Sequence, residues 1–248
     1  MNNEHSLAAE RGVSSYIQAS AYAPSRRQGV RVPPRLAGTK ALTIAISRET
    51  GIDAGSYARA IGEQLGWPVW DHELLELVAT RLGSNVRELE WLDERPIGWL
   101  QESIEAFLVL HSVNQHSFAL QLRQAVEDLA ASGSCVIVGR GAPHILASNT
   151  CLKIRLVAPR EQRIAAFRKQ MGFADTAHAA RELEKIDRER VRFVSEHCHK
   201  DPLDPAAYDV VVNISRFSPT DCARIVLNLL QAVEHRRDVA REFPVASL

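Results

Sequence analysis

Residues 41–66, ALTIAISRETGIDAGSYARAIGEQLG, constrain the fold more tightly than any other stretch. They open as an apolar run of strand type, break into a short loop at Gly51 and Gly55, and resume with apolar residues at Tyr57, Ile61 and Leu65, a helical spacing. Such a junction of strand, glycine loop and helix aims the loop's N–H groups and the positive end of the helix dipole at one point, which suits a phosphate. The spacing nearly fits the phosphate-cradling glycine and lysine pattern. With Ser56 as its hydroxyl and Gly55 immediately before, Ala54 falls where the lysine should be and Asp53 replaces the second glycine. The alternative is an ordinary strand-to-helix turn whose glycines supply positive φ and nothing more.

The chain of 248 residues balances 30 Lys+Arg against 30 Asp+Glu, so no global field recruits nucleic acid or an anionic membrane, and any basic site must be local. No apolar run approaches the roughly 20 residues of a membrane-spanning helix, and the N-terminus shows no secretory signal. Cys135, Cys151, Cys198 and Cys222 form no C-x-x-C pair, which argues against a zinc site or a disulfide scaffold and fits a reducing compartment. The expectation is a soluble cytoplasmic protein with neither membrane nor nucleic acid as partner.

Residues 1–40 read as a basic, proline-containing tail, with Arg26, Arg27, Arg31 and Arg35 near Pro24, Pro33 and Pro34 and little to bury. A short second strand ends at Asp71, where ligands of a parallel sheet collect; Asp71 would serve equally as the cap of a helix over 72–82. Residues 84–132 are helical in pattern. Their apolar stripe, Ile104, Phe107, Leu108, Phe118, Leu122, Val126 and Leu129, would face the sheet, a ligand cleft or a second copy of the chain, giving a helical arm or a homodimer face.

A buried strand over 135–138 ends in Gly139-Arg140-Gly141, which leaves space for an anion held bidentately by a guanidinium; a surface arginine in a turn is the alternative. After a strand over 152–158 and a helix to about residue 171 comes a long charged helix over 175–198. Most of its charges should pair at i,i+4 in solvent, yet Arg188 and Arg192 share a face and present two guanidiniums together. His197, Cys198 and His199 are adjacent on that helix and point apart, which argues against a metal site. A last strand over 208–214, a helix opening at Pro219 and a frayed tail over 237–248 complete the chain. The alternation predicts an α/β fold of three layers, α/β/α, around a parallel sheet.

In order and spacing these pieces resemble the cytidylate kinase-like family, a divergent branch of the P-loop nucleoside monophosphate kinases. The resemblance is carried by ISRETGIDAG with its helix ending in QLGWPVWD, by VIVGRG, by LKIRLVAP with its arginine-bearing helix, by DRERVRF, and by DPLDPAAYDVVVNIS, within residues 41–236. It implies ATP as phosphoryl donor, CMP or a related nucleotide as acceptor, Mg2+, and a lid over residues 175–200. The loop, with Ser47, Gly51, Gly55 and Ser56, would then hold the donor phosphates, and the Ser56 hydroxyl would meet magnesium. Asp71 would lie beside the acceptor nucleotide and Arg140 would hold its phosphate, while Arg188, Arg190 and Arg192 would cover the transferring group. The loop is less glycine-rich than is common in that family, and Asp53 adds negative charge where phosphates should enter. Because charge neutralisation supplies most of the acceleration in phosphoryl transfer, Arg48 at the loop's entrance is the candidate substitute for the lysine. Should Asp53 and Ala54 silence the loop, the fold would serve a nucleotide-sensing or scaffold protein instead.

Overall fold

The computed structural model describes residues 42–71, 73–82 and 115–242. In chain order the elements are β1 (Thr43–Arg48), α1 (Ala54–Leu65), β2 (Val69–Trp70), α2 (Glu73–Arg81), α3 (Gln115–Ser132), β3 (Val136–Val138), α4 (Ala142–Ile145), β4 (Cys151–Val157), α5 (Arg160–Met171), α6 (Thr176–Cys198), β5 (Val210–Asn213) and α7 (Pro219–Glu242), with 3-10 turns at Pro205–Ala207 and Ile214–Arg216. The strands form one parallel sheet in the order β2-β3-β1-β4-β5. Ile44 pairs with Val136 on one side and Leu152 on the other, and Leu156 pairs with Val212.

This register follows from the period of two in the strands. Ile44, Ile46, Val136, Val138, Leu152, Ile154 and Leu156 share one face and pack on Ala58 and Ile61 of α1 and on Val226 and Leu230 of α7. Ala45 and Ile137 point the other way, onto Leu74 and Val78 of α2 and Phe118, Leu122, Val126 and Leu129 of α3. A slip of one residue would exchange the two faces, so the sandwich of helices fixes the pairing. The result is the three-layer α/β/α arrangement expected from the sequence.

The described end of the predicted helical region, Gln115–Ser132, takes one of the three places expected for its stripe, because its residues 118, 122, 126 and 129 lie along one face that the sheet covers. The predicted frayed tail over 237–248 is corrected at its start. Helix α7 runs to Glu242, since Ala240, Arg241 and Glu242 favour helix and the first breaker is Pro244. The tail over 1–40, the arm over 83–114 and residues 243–248 lie outside the described residues.

Helices α5 and α6 pair into a hairpin with a small core of its own, formed by Ile164, Phe167, Ala179, Leu183 and Ile186. The carboxylate of Asp175 caps α6 by accepting from the N–H groups of Ala177 and His178. The second half of α6 crosses the carboxyl ends of the strands, where Arg123 of α3 donates to the His197 carbonyl at 2.9 Å. Among the described residues no helix is long and apolar enough to cross a membrane, and no group of three or more His, Cys, Asp or Glu could hold a metal ion.

Candidate functional site

Strand β3 runs into Gly139, Arg140 and Gly141, whose φ angles are 69°, 54° and 72°. Gly139 suits its left-handed backbone, and a Cβ there would displace the Arg48 guanidinium, since it would lie 2.0 Å from Nη1. Arg140 has no such freedom, and a non-glycine residue held left-handed costs roughly 1–2 kcal/mol. Two bonds hold it there: Gly139 N–H donates to Ile46 O at 2.7 Å and Ala142 N–H donates to Gly139 O at 3.0 Å. The side chain is thereby turned inward. Arg140 is 6% exposed, and its Nε and Nη2, like Nη1 of Arg190, are buried without a hydrogen-bond partner.

The three guanidiniums of Arg48, Arg140 and Arg190 feel one another. Burial, followed by the charge of Arg48, pushes the pKa of Arg140 from its ordinary value down to about 9. Burial, then Arg48 and to a smaller extent Arg140, brings Arg190 to about 9 as well, with Asp187 opposing. Burial also lowers Arg48, against the pull of Asp71 and Asp53. Mutually repelling cations with unused donors form a surface complementary to an anion of high charge.

These groups open onto a cleft of about 450 Å³. Ser47, Arg155 and His144 add polar walls, Phe118, Pro143, Phe193 and Leu203 apolar ones, and Arg188 and Arg192 stand exposed at the rim. The Tyr208 hydroxyl braces one end, donating to Pro202 O at 2.8 Å, accepting from Arg155 Nη1 at 3.2 Å and lying 3.0 Å from His144 Nε2. Burial, with Lys153 and Arg155 nearby, lowers the His144 pKa to about 4, so its ring is neutral at pH 7.

The loop between β1 and α1 is partly engaged by carboxylates. Thr50 donates its N–H at 3.0 Å and its hydroxyl at 2.5 Å to Oδ1 of Asp187. Asp53 caps α1, accepting from the Ser56 N–H at 3.2 Å, and the Ser56 hydroxyl donates to the Asp53 carbonyl at 2.9 Å. Ala54 N–H donates to Ile52 O at 3.0 Å, whereas the N–H groups of Gly51, Ile52 and Asp53 meet no acceptor among the described residues.

Of the site residues expected from sequence, Ser47, Arg48, Arg140, Arg188, Arg190 and Arg192 line the one cleft, while Gly51, Gly55, Ser56 and Asp71 do not. Asp71 sits near the loop instead. Its Oδ2 and the Oδ1 of Asp53 both lie 3.4 Å from where a Cβ on Gly55 would stand, and its Oδ1 is buried without a partner. Nη1 of Arg59 stands nearer that point than either carboxylate, at 3.0 Å, which leaves the lone pairs of the Ser56 hydroxyl as the oxygen donor there free for Mg2+. Sequence reasoning missed Glu49, Thr50, Arg163 and Asp187, which bind loop and helices together. Arg163 and Asp187 are hidden among many helical charges. The signal that singles out Arg163 is its place in the first turn after the carboxyl end of β4, the ligand edge of the sheet.

The model of the cytidylate kinase-like family matches residues 43–216. No curated protein matches. Among solved structures, an uncharacterized protein from Eubacterium ventriosum superimposes with a TM-score of 0.57 at 19% identity, covering 77% of this chain and 98% of that one. A shikimate kinase from Bacteroides thetaiotaomicron gives 0.48 at 15% identity over 77% and 98% of the two chains. The shikimate kinase from Acinetobacter baumannii, in complex with shikimate, gives 0.45 at 14% over 77% and 94%. The first of these likenesses is one of fold.

Proposed function

Since the chain belongs to the cytidylate kinase-like family, we propose that this nucleotide-kinase-like protein transfers the γ-phosphate of ATP to CMP or a related nucleoside monophosphate. The observation that carries the reading is the convergence of Arg48, Arg140 and Arg190 on the cleft with buried N–H donors of Arg140 and Arg190 unpartnered. A phosphate monoester carries close to two negative charges at neutral pH and several acceptor oxygens, which answers both the repulsion and the unused donors. Arg140, fixed by its backbone, holds the acceptor phosphate. Arg190 and Arg48 neutralise charge that spreads over the transferred group, and Arg188 and Arg192 screen it from the rim. Asp71 neighbours the acceptor nucleotide.

The N–H groups of Gly51, Ile52 and Asp53 are the donors left for the ATP phosphates. Mg2+ would meet the Ser56 hydroxyl and would supply charge neutralisation when bound. Arg48 stands in for the lysine that the loop lacks.

A second reading, nucleotide binding without turnover, is favoured by one observation: the Asp53 carboxylate occupies the N-terminus of α1, where a donor phosphate would otherwise take the Ser56 N–H. Purified protein incubated with ATP, Mg2+ and a panel of nucleoside monophosphates separates the two. Diphosphate formation that disappears in Arg140→Met supports the kinase. Tight monophosphate binding without any diphosphate supports the sensor.

A further inference from the structure

The geometry points to Arg163 of α5 as a positioning residue for the phosphate loop, acting through Asp187 of α6; this rests on the reading of loop and cleft given above. One arginine meets three consecutive loop residues. Its Nε lies 3.2 Å from Glu49 Oε2, its Nη1 donates to the Thr50 carbonyl at 3.3 Å, and its own carbonyl oxygen would be 2.5 Å from a Cβ on Gly51. The same Nη1 donates to Asp187 Oδ2 at 2.8 Å, while Asp187 Oδ1 takes both the N–H and the hydroxyl of Thr50. Glu49 is fixed in turn, accepting from the Ala158 N–H at 3.1 Å.

The arrangement is sheltered: the Arg163 side chain is 11% exposed and Thr50 is 2% exposed. It ties the first half of the α5/α6 hairpin, which has a small core of its own, to the loop, whereas Phe193 in the second half of α6 packs on the core beside α2 and α3. The residues it seizes, 49–51, lead directly into the three N–H groups that have no acceptor among the described residues. Arg123 holds the far end of α6 by an independent bond. Arg163 itself does not line the cleft, so changing it releases the loop and leaves the guanidiniums of Arg48, Arg140 and Arg190 in place. Its Nη1 makes both hydrogen bonds while Nε faces Glu49 as an ion pair without one, and the single ammonium of a lysine does not stand at both places.

The test is calorimetric titration with tripolyphosphate and, separately, with CMP, of the wild type, Arg163→Lys, Arg163→Met, Asp187→Asn and the double variant Arg163→Met/Asp187→Asn, with thermal unfolding to confirm that each is folded. Each single change should weaken tripolyphosphate binding about tenfold or more, the double should be no worse than the worse single, and CMP affinity should stay within about threefold in the two Arg163 variants. Equal losses for both ligands in the Arg163 variants, additive losses in the double variant, or tripolyphosphate binding unchanged in Arg163→Lys and Arg163→Met would overturn the positioning role. So would a wild type that does not bind tripolyphosphate. A wild type that binds tripolyphosphate yet phosphorylates no nucleotide sinks the kinase reading alone, and the clasp is still judged by the affinities.

Discussion

Arg140→Met should stabilise the unliganded protein while abolishing its response to nucleotide. Burial and the charge of Arg48 bring the pKa of Arg140 from its ordinary value down to about 9. At about 1.4 kcal/mol per pKa unit, the charged side chain is disfavoured in the fold by on the order of 4–5 kcal/mol. Its folded pKa lies below its unfolded one, so the penalty is fully present at pH 7 and is relieved only as the pH rises through about 9 towards the ordinary arginine value. Methionine keeps much of the apolar stem and leaves no donor of its own unpaired, while the strain at φ 54° is unchanged. Allowing for lost packing and local relaxation, the net gain should be about 1–3 kcal/mol, a rise in Tm of roughly 2–10 °C for a domain of this size. CMP at a hundredfold excess over its Kd should add about 2.7 kcal/mol to the wild type and nothing to the variant. Thermal unfolding of both proteins, with and without CMP, reads all four states. A variant that melts below the wild type, or that keeps its CMP shift, would refute the claim that this guanidinium is held uncompensated for an anion.

Three other outcomes follow from named contacts. Gly139→Ala places a Cβ against the Arg48 guanidinium and strains the backbone by about 1–2 kcal/mol; calorimetry should show CMP affinity down about tenfold or more, and unchanged affinity would mean that Arg48 does not serve the cleft. Asp53→Asn keeps an oxygen for the Ser56 N–H but removes a charge from the phosphate entrance. ATP affinity should rise a few-fold at low salt and less at high salt, and no change would show that the carboxylate does not oppose phosphate. His144 has a folded pKa of about 4, below its ordinary 6.5, so the unfolded chain takes up its proton first and stability is lost as pH falls between those values. In denaturant titrations at about pH 7, 5.5 and 4.5, His144→Gln should lose less stability than the wild type; parallel curves would contradict it.

The layers of the fold could be read directly, because period-two apolar runs and helical stripes are local features. Residues 118, 122, 126 and 129 of α3 show the limit of such reading: their spacing predicts a buried stripe, but only the packing shows that the sheet covers it. Arg140 was recognisable from the glycines flanking it at a strand end. Its unpartnered donors were not, since they arise from a left-handed backbone that sequence does not specify. The clasp of Glu49, Thr50, Arg163 and Asp187 was opaque for another reason. Its hydrogen bonds join residues as many as 137 positions apart, and each member alone looks like an ordinary surface charge or turn residue.

The central claim is that the cleft formed by Arg48, Arg140 and Arg190 receives a nucleotide's phosphate. Its most direct test is the phosphorus NMR spectrum of CMP titrated with the wild type and with Arg140→Met, followed by addition of ATP and Mg2+. The account predicts a CMP resonance that shifts and broadens with the wild type alone, and diphosphate signals after ATP is added. A resonance that stays at its free position with the wild type, or that moves equally with the variant, would contradict it.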